Sequence, residues 1–228
     1  MQRSFIALLK SNSPALHAVL KRLRNATLKT LWNPQVSRSL REGLPLTNRS
    51  HLPLLLTHLG LRGEGVEVGV LNGYFSELIL IYSELFALHS IDPWREFDEE
   101  RYRDKNNVKQ QEQEGRFQAT RKRLAPYGER SQIHRMTSKQ AAESFTDASL
   151  DFVYIDANHS YEACKEDIEL WWPKVKTGGV MAGHDYLDGE FPGGNFGVKR
   201  AADEFIVKAN QHLFVIRALW PTWYVIKR

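Results

Sequence analysis

The chain has 228 residues, which at about 100 to 200 residues per domain indicates one domain with an extension. Apolar residues make up 42% and charged residues 25%, ordinary globular values that exclude a wholly disordered, collagen-like or coiled-coil chain. The net charge of +4 is distributed unevenly, because residues 1–49 carry nine basic side chains and one acid (+8) and the rest of the chain carries −4. This acidic remainder argues against a nucleic-acid-binding surface.

No stretch of the sequence has the pattern of a signal peptide or a membrane span. The apolar run Phe5–Leu9 is stopped by Lys10 and is too short for a signal peptide. No uncharged apolar run approaches the roughly 18 residues that a transmembrane helix needs. We therefore predict a cytoplasmic protein without a transmembrane segment. The single cysteine, Cys164, excludes an internal disulfide framework and a cysteine-built zinc site.

The first 49 residues have the pattern of a basic amphipathic helical extension followed by a linker. Ser13-Pro14 is typical of a helix start. Apolar residues then follow at helical spacing: Leu16, Val19, Leu20, Leu23 and Leu31. The opposite face is basic and holds Lys21, Arg22, Arg24 and Lys29. Such a helix suits an anionic membrane surface or a partner protein, or it packs on its own domain or on a second copy of the chain. Residues 33–49 read as a linker.

From residue 50 to residue 228, short apolar runs alternate with helical stretches. A short helix, Leu52–Leu59, comes first. The predicted strands are Gly65–Val70, Leu85–Ile91, Gln132–Met136, Leu150–Ile155 and Gly179–Ala182. The predicted helices between them are Phe75–Tyr82, Phe117–Leu124, Lys139–Phe145 and Tyr161–Trp172. Because parallel connections need a dozen or more residues, this alternation indicates a Rossmann-like, doubly wound, mostly parallel α/β sheet. The last two runs, His212–Ala218 and Thr222–Lys227, are joined by three residues and predict an antiparallel C-terminal hairpin.

A long charged segment, at about residues 93–130, interrupts the alternation of strands and helices. Loops of this length in compact α/β domains are often lids or binding segments. The alternative is a solvated helical insertion with paired charges. Trp94 and Tyr102 in this segment are candidates for one wall of an acceptor site.

A glycine-containing turn between the first strand and the next helix predicts a cofactor site. Gly69 and Gly73 allow the backbone to turn sharply and approach a ligand closely. Their spacing departs from the dinucleotide fingerprint. Asp92 ends the second strand, where an acid can accept both hydroxyls of a ribose. Glu67 repels a pyrophosphate and attracts an ammonium, which favours an adenosine ligand with an amino-acid tail.

The motif Glu67-Val-Gly-Val-x-x-Gly73, together with Asp92 and Asp156-Ala-Asn-His159-Ser-Tyr161, resembles class I S-adenosylmethionine-dependent methyltransferases. Within them, three segments are similar to the group of metal-dependent macrolide-sugar O-methyltransferases and cephalosporin-hydroxylase-like proteins: Ile91–Trp94, Asp151–Ala157 and Gly178–Tyr186. The resemblance implies a seven-stranded sheet whose last strand is antiparallel. It also implies cofactor contacts at Glu67, Gly69, Asn72, Gly73 and Asp92, with Thr137 and Ser138 near the adenine.

Two carboxylates end neighbouring predicted strands and predict a metal site. Asp156 follows the fourth strand and Asp185 the fifth, so both emerge at the carboxyl edge of the sheet, where open α/β folds bind ligands. Two acids there can share a divalent cation, Mg²⁺, or Mn²⁺ if His184 joins them. His159, three residues past Asp156, is the candidate general base for an acceptor hydroxyl. The resemblance points to the same histidine.

An aromatic, glycine-rich loop follows Asp185 and either covers the acceptor or is only a flexible connection. It contains Tyr186, Phe191, Gly194, Asn195 and Phe196. Trp171 and Trp172 lie on a helix and are predicted to belong to the core or to an interface.

Taken together, these motifs predict an S-adenosylmethionine-dependent methyltransferase, an O-methyltransferase for a hydroxyl of a small molecule such as a sugar or natural product. Asp156 and His159 are its predicted catalytic residues, and Asp156, His184 and Asp185 its predicted metal ligands. Two alternatives remain open: a redox, cephalosporin-hydroxylase-like enzyme, and a non-catalytic cofactor-binding module. A homo-oligomer formed through the N-terminal arm is a further expectation.

Overall fold

The computed structural model describes residues 14–98 and 104–228, and its centre is a seven-stranded sheet. The strands in chain order are β1 (Glu64–Val68), β2 (Ala87–Ile91), β3 (Ser131–His134), β4 (Leu150–Ile155), β5 (Val175–Gly183), β6 (Gly189–Phe191), β7 (Gly194–Phe196), β8 (Leu213–Ile216) and β9 (Thr222–Ile226). The helices are α1 (Pro14–Glu42), α2 (Leu52–His58), α3 (Tyr74–Tyr82), α4 (Gln110–Leu124), α5 (Ser138–Ala142), α6 (Tyr161–Trp171) and α7 (Val198–Ala209). Short 3₁₀ segments cover Arg49–His51, Ala125–Arg130 and Trp172–Lys174.

The sheet has the strand order β3-β2-β1-β4-β5-β9-β8. Strands β1 to β5 pair in parallel, while β9 runs antiparallel to β5 and β8 antiparallel to β9. The predicted doubly wound sheet and its antiparallel C-terminal hairpin are therefore confirmed. The switch in strand order between β1 and β4 leaves a crevice at the carboxyl ends of these strands, where such sheets bind ligands.

Alternate residues of the central strands enter two separate cores, as the twofold period of a strand requires. On β4, Phe152 and Tyr154 join the core that α1, α2 and α3 cover. Their neighbours Val153 and Ile155 join the core that α5, α6 and α7 cover. Both faces of the sheet are thus covered by helices, and every residue of β4 is buried.

Helix α1 is longer than predicted and packs through a different face. It continues to Glu42 through Pro34, so the prediction of a linker is wrong over residues 33–42. A proline inside a helix costs about 3 kcal/mol, which burial of residues such as Val36 against the first core offsets. The predicted apolar stripe is wrong in part, because Leu23 and Leu31 are 60% and 58% exposed. Leu28, Trp32 and Leu40 contact the core instead.

The basic face of α1 makes at least one contact within the domain. Lys21 forms an ion pair with Glu77 of α3, which together with the packing of Val36 supports the reading that the helix docks on its own domain. The predicted cap at Ser13 and the apolar run Phe5–Leu9 lie outside the described residues. Across the two described ranges, we find no helix with the length and apolar character that crossing a bilayer requires.

Two elements have no counterpart in the sequence prediction. Helix α7 has apolar residues at helical spacing, Val198, Ala201, Ala202 and Phe205, a signal that was available and missed. The β6–β7 hairpin occupies the predicted aromatic, glycine-rich loop, and its two three-residue strands flank Pro192 and Gly193. Strands this short carry too little alternation to be recognised in a sequence.

Candidate active site

The glycine turn after β1 lies directly against the end of β4. Gly69 has a φ of +84°, and a Cβ atom there would lie 2.0 Å from the backbone oxygen of Asp156. Gly73 has a φ of +72° and is the residue before the first turn of α3. Glycine is therefore required at position 69 by both conformation and space, and the turn brings the β1 backbone to the carboxyl edge of β4.

Hydrogen bonds to Asp92 hold this turn at the end of β2. Its Oδ2 accepts the backbone N–H groups of Val70 and Leu71, each at 3.0 Å, and its Oδ1 accepts that of Trp94 at 2.7 Å. Burial raises the pKa of Asp92, although these three backbone hydrogen bonds oppose the rise. These contacts use part of the carboxylate's acceptor capacity, which is about four positions in all. Binding of both ribose hydroxyls by Asp92 stays a prediction.

A cavity of about 350 Å³ lies beside the glycine turn. Of the predicted cofactor contacts, Gly69, Asp92, Thr137 and Ser138 line it, and Asp156 forms part of the same wall. Glu67, Asn72 and Gly73 do not line it. The 93–130 insertion supplies much of the remaining wall through Arg95, Phe97, Asn106, Gln113 and Arg116. The insertion is therefore both a cover over the cavity and, from Gln110 onward, a charged helix.

One further residue of the cavity wall has a role that the sequence did not indicate. Asp167 of α6 accepts a hydrogen bond from Ser138, and burial raises the pKa of Asp167 to about 6. Ser138 also accepts the indole N–H of Trp171 at 2.8 Å, which fixes its hydroxyl. Trp171 is fully buried, as the sequence predicted for a core residue.

The predicted acceptor wall residue Trp94 has a different place. It is fully buried, has a φ of +41°, and donates its indole N–H to the backbone oxygen of Leu71 at 2.9 Å. It therefore supports the glycine turn, and its assignment to a wall of the acceptor site is wrong. Tyr102, the other candidate for that wall, lies outside the described residues.

Glu67 of β1 is buried beneath the turn, with 1% of its surface exposed. It accepts a hydrogen bond from Ser76, whose oxygen lies 3.0 Å from that of Ser90. Burial raises the pKa of Glu67 to about 8 against the opposing effect of Ser76, and the charge of Asp156 adds to the rise. At neutral pH the carboxyl group is thus held largely protonated until a positive charge approaches it.

We expect Glu67→Gln to remove a pH dependence of stability. Between pH 4.5 and about 8 the folded protein retains a proton on Glu67 that unfolding releases, so wild-type stability declines as the pH rises. The variant lacks this decline. As the pH rises from about 5 to about 8, the unfolding free energy of the variant minus that of wild type should therefore increase by about 3 to 4 kcal/mol. Urea unfolding across this range measures the difference.

Glu84→Gln is the control, because this exposed glutamate pairs with Arg62 at the surface. The difference in unfolding free energy between Glu84→Gln and wild type should stay nearly constant with pH. A constant difference for Glu67→Gln as well would contradict the raised pKa.

The predicted metal ligands come together at the carboxyl edge of the sheet. Ile155 of β4 pairs with Gly183 of β5, so the next residues, Asp156 and His184, stand side by side. Nδ1 of His184 lies 2.9 Å from Oδ1 of Asp185 and 3.7 Å from Oδ2 of Asp156. One ligand atom from each of the three residues falls within 4.8 Å of the others.

This group of three fits a divalent cation. Oδ1 of Asp185 is buried without a hydrogen bond, although an imidazole nitrogen lies beside it. Burial alone would raise the pKa of Asp185, but His159 and His184 outweigh it and hold the pKa well below its usual range. Two carboxylates and an imidazole are donors that Mg²⁺ or Mn²⁺ accept.

His159, the predicted base, lies between both carboxylates. Its Nε2 is 3.1 Å from Oδ2 of Asp185 and 3.6 Å from Oδ1 of Asp156. Its Nδ1 is 2.7 Å from Oδ2 of Asp104, a residue of the insertion that the sequence did not indicate. Burial lowers the pKa of His159, but the three carboxylates raise it to about 11. In this arrangement the imidazole is the positive partner of the acidic cluster.

The β6–β7 hairpin closes one side of His159. The ring of Phe196 stacks on the imidazole with 4.9 Å between centroids, and Trp220 lies 5.7 Å from Phe196. Lys105 of the insertion lies 4.9 Å from the Trp220 ring centroid. Tyr186 is directed away, because its hydroxyl donates to Asp203 of α7. The predicted loop is thus an ordered cover over the histidine.

Arg49 is a further residue of the site that sequence reasoning missed. Its Nη1 lies 3.8 Å from Oδ2 of Asp156 and 3.5 Å from the hydroxyl of Tyr154. Its guanidinium also lies over the Phe75 ring, 5.2 Å from the centroid. It precedes the methyltransferase-like motifs in a segment predicted as a linker, so no spacing rule pointed to it.

Residues 66–186, more than half of the chain, match the family model described as "Methyltransferase domain". This match, together with the seven-stranded sheet and its antiparallel hairpin, identifies a class I S-adenosylmethionine-dependent methyltransferase. The chain belongs to this methyltransferase family.

Solved structures with the same fold include two O-methyltransferases. One, from Bacillus cereus in complex with SAH, is 14% identical with a TM-score of 0.53, and the match covers 86% of this chain and 90% of that chain. The other is TomG from Streptomyces achromogenes, involved in tomaymycin synthesis and solved with SAM, at 15% identity, a TM-score of 0.55 and the same coverage. At these identities the likeness shows the fold.

A curated relative matches only a short segment. The uncharacterized protein y4gI of Sinorhizobium fredii (strain NBRC 101917 / NGR234) is 34% identical over 55 residues. That segment is 24% of this chain and 6% of the relative's length.

Proposed function

We propose that this methyltransferase methylates a hydroxyl group of a small molecule, a sugar or a natural product, with a divalent cation held by Asp156, His184 and Asp185. The observation that carries the proposal is the position of Asp156, which lines the cavity and also belongs to the carboxylate–imidazole cluster. A methyl donor in the cavity and an acceptor at the cluster would meet at this side chain.

The cavity residues account for binding of the cofactor. When bound, S-adenosylmethionine supplies a methyl group on a positively charged sulfur. The backbone at Gly69 allows close approach, and the remaining acceptor capacity of Asp92 suits the ribose hydroxyls. Thr137 and Ser138 would lie near the adenine. Glu67 would supply negative charge beneath the amino-acid tail, while Asn72 and Gly73 shape the turn.

The acidic cluster accounts for activation of the acceptor. A bound divalent cation would lower the pKa of an acceptor hydroxyl, as it lowers that of bound water. With Asp156 and Asp185 engaged as ligands, Nε2 of His159 would no longer pair with them and would be available to take the hydroxyl proton. A general base of this kind contributes about 10² to 10⁴ in rate.

The type of acceptor is inferred from the surroundings of His159 and from the neighbours' names. Phe196 and Trp220 offer aromatic surface beside the histidine, which suits a ring-containing small molecule. The two structural neighbours are O-methyltransferases by name, and one is involved in tomaymycin synthesis. We also propose that the protein is cytoplasmic. If it forms a homo-oligomer, the exposed Leu23 and Leu31 of α1 would lie in the interface.

The test is a methyl-transfer assay with labelled S-adenosylmethionine and a panel of sugars, glycosides and phenols. We expect label in at least one acceptor, loss of transfer on adding a chelator, and recovery on adding Mg²⁺. Binding of S-adenosylhomocysteine but not of NADH should accompany this result. Transfer that persists undiminished in chelator would contradict the metal, and tight NADH binding would favour a redox enzyme.

A further inference from the structure

A buried carboxylate of the insertion contacts the side of His159 that faces away from the metal ligands. Oδ2 of Asp104 lies 2.7 Å from Nδ1 of His159. The two side chains are 3% and 8% exposed. An ionised carboxylate can only accept hydrogen bonds, so Nδ1 carries the proton in this contact. The other nitrogen, Nε2, is therefore the one directed at Asp156 and Asp185.

The position of Asp104 is fixed by several contacts around it. Its Oδ1 accepts the backbone N–H of Asn106 at 2.7 Å, so both carboxylate oxygens are engaged. Asp104 also forms a backbone bridge with Gly194 of the β6–β7 hairpin, and the N–H of Lys105 donates to the oxygen of Gly193 at 3.2 Å. The insertion and the hairpin therefore hold this acid against the imidazole.

The same segment is joined to the cofactor cavity. The backbone oxygen of Asn106 accepts hydrogen bonds from Gln113 at 3.0 Å and from Arg116 at 2.9 Å. All three residues line the cavity. Hydrogen bonds therefore join the segment that holds Asp104 to the wall that would surround the cofactor.

We propose that Asp104 is a positioning residue that fixes the tautomer and the orientation of His159 for methyl transfer. This inference rests on the proposed function. In the transfer, the acceptor oxygen forms a bond to the methyl carbon, the carbon–sulfur bond breaks, and its electron pair stays on sulfur. The hydroxyl proton passes to Nε2 of His159, which is free for it only while Asp104 keeps the other proton on Nδ1.

Asp104 differs in role from the metal ligands because it does not contact the cluster where the cation would lie. Its loss leaves Asp156, His184 and Asp185 in place, but the imidazole can then rotate or carry its proton on Nε2. Residues that orient a functional imidazole in this way typically contribute about 10- to 100-fold. The effect should therefore appear in kcat rather than in KM for S-adenosylmethionine.

The first experiment compares variants in the methyl-transfer assay. We expect Asp104→Ala to lower kcat by about 10- to 100-fold, with Asp104→Asn retaining part of the rate because its amide oxygen can still accept from Nδ1. His159→Ala should lower kcat by about 10² to 10⁴. In the double variant, Asp104→Ala should add no further loss, because its effect passes through His159.

Glu96→Ala is the matched control for disturbance of the insertion. This acid binds Lys109 and the backbone of Gln110, and it does not line the cavity. We expect it to stay within about twofold of wild type, the range of small surface effects. If Asp104→Ala lowers the rate equally in the His159→Ala background, the residue is only a structural support and the proposal is wrong.

The second experiment needs no acceptor. A proton on Nδ1 held by Asp104 should give a downfield imidazole N–H resonance in NMR spectra of histidine-labelled protein, assigned by its absence from His159→Ala. Asp104→Ala should lose this resonance, while Glu96→Ala keeps it. Persistence in Asp104→Ala would overturn the positioning role. Absence of any methyl transfer by wild type would instead contradict the proposed function. The NMR result would then still show whether Asp104 holds the proton on Nδ1 of His159.

Discussion

Replacing Gly69 by alanine should lower the free energy of unfolding by about 4 kcal/mol or more, at the upper end of single substitutions. The new Cβ would lie 2.0 Å from the backbone oxygen of Asp156 and 2.8 Å from Cα of Ala157. Both are backbone atoms of the neighbouring strand end, so relief requires β1 and β4 to separate. The φ of +84° adds strain of about 1 to 2 kcal/mol for a residue with a Cβ.

Gly60→Ala separates the backbone strain of a positive φ from the steric clash with Asp156. Gly60 has a comparable φ of +73°, but no atom lies within 4 Å of a Cβ placed there. We expect this variant to lose only about 1 to 2 kcal/mol. Urea unfolding of both variants measures the difference, which reports the contact with Asp156 alone. Equal losses at the two positions would show that the close approach of the two strand ends is not what requires glycine.

This contact also joins stability to function. The atom that an alanine at position 69 would strike belongs to Asp156, which lines the cavity and belongs to the candidate metal site. A partly folded Gly69→Ala protein should therefore lose binding of both S-adenosylhomocysteine and Mg²⁺. Gly60→Ala should retain both.

The parts of the fold that follow from local pattern were predictable. Strand β4 is buried on both faces, so its sequence is apolar except for Asp151, and its predicted bounds, Leu150–Ile155, are those observed. The C-terminal hairpin followed from the short link between its strands, three residues in the predicted bounds and five, 217–221, in the observed ones. The convergence of Asp156, His184 and Asp185 followed from parallel strand order, because the carboxyl ends of β4 and β5 must be neighbours.

The parts that depend on long-range contact were not predictable. Asp104 and His159 are separated by 55 positions and by a charged insertion with no periodicity. Nothing in the sequence near Asp104 distinguishes it from the other acids of that segment. Arg49 was hidden for a related reason, since its partners Tyr154 and Asp156 lie on β4 or just after it.

Helix α1 shows how tertiary packing overrides local signals. The leucines at positions 20, 23 and 31 have helical spacing, yet the core lies on the side of Trp32 and Val36. The Asn33-Pro34 pair is a typical helix boundary, yet the helix continues to Glu42. The positions of α2, which packs against α1, and of α3, whose Tyr82 contacts Trp32, decide which face is buried.

Asp185→Asn should abolish metal binding, with an affinity loss of at least about 100-fold, since even residues that only support metal ligands contribute 10- to 100-fold. Asparagine has nearly the same shape and tolerates the observed φ of +51°, so the substitution removes charge with little change in backbone. Methyl transfer should fall with it. A thermal shift on adding Mg²⁺ provides a measurement that needs no acceptor, because a ligand bound only by the folded state stabilises it.

Asp188→Asn is the matched control, an exposed aspartate three positions further along the chain. Wild type and Asp188→Asn should gain stability with Mg²⁺, by about 2.7 kcal/mol at 100 times the Kd, whereas Asp185→Asn should gain none. The variant should also be less stable without metal, because the Asp185 carboxylate lies near the imidazoles of His159 and His184. A full Mg²⁺ shift in Asp185→Asn would mean that the carboxylate serves only these histidines, and the metal assignment would then be wrong.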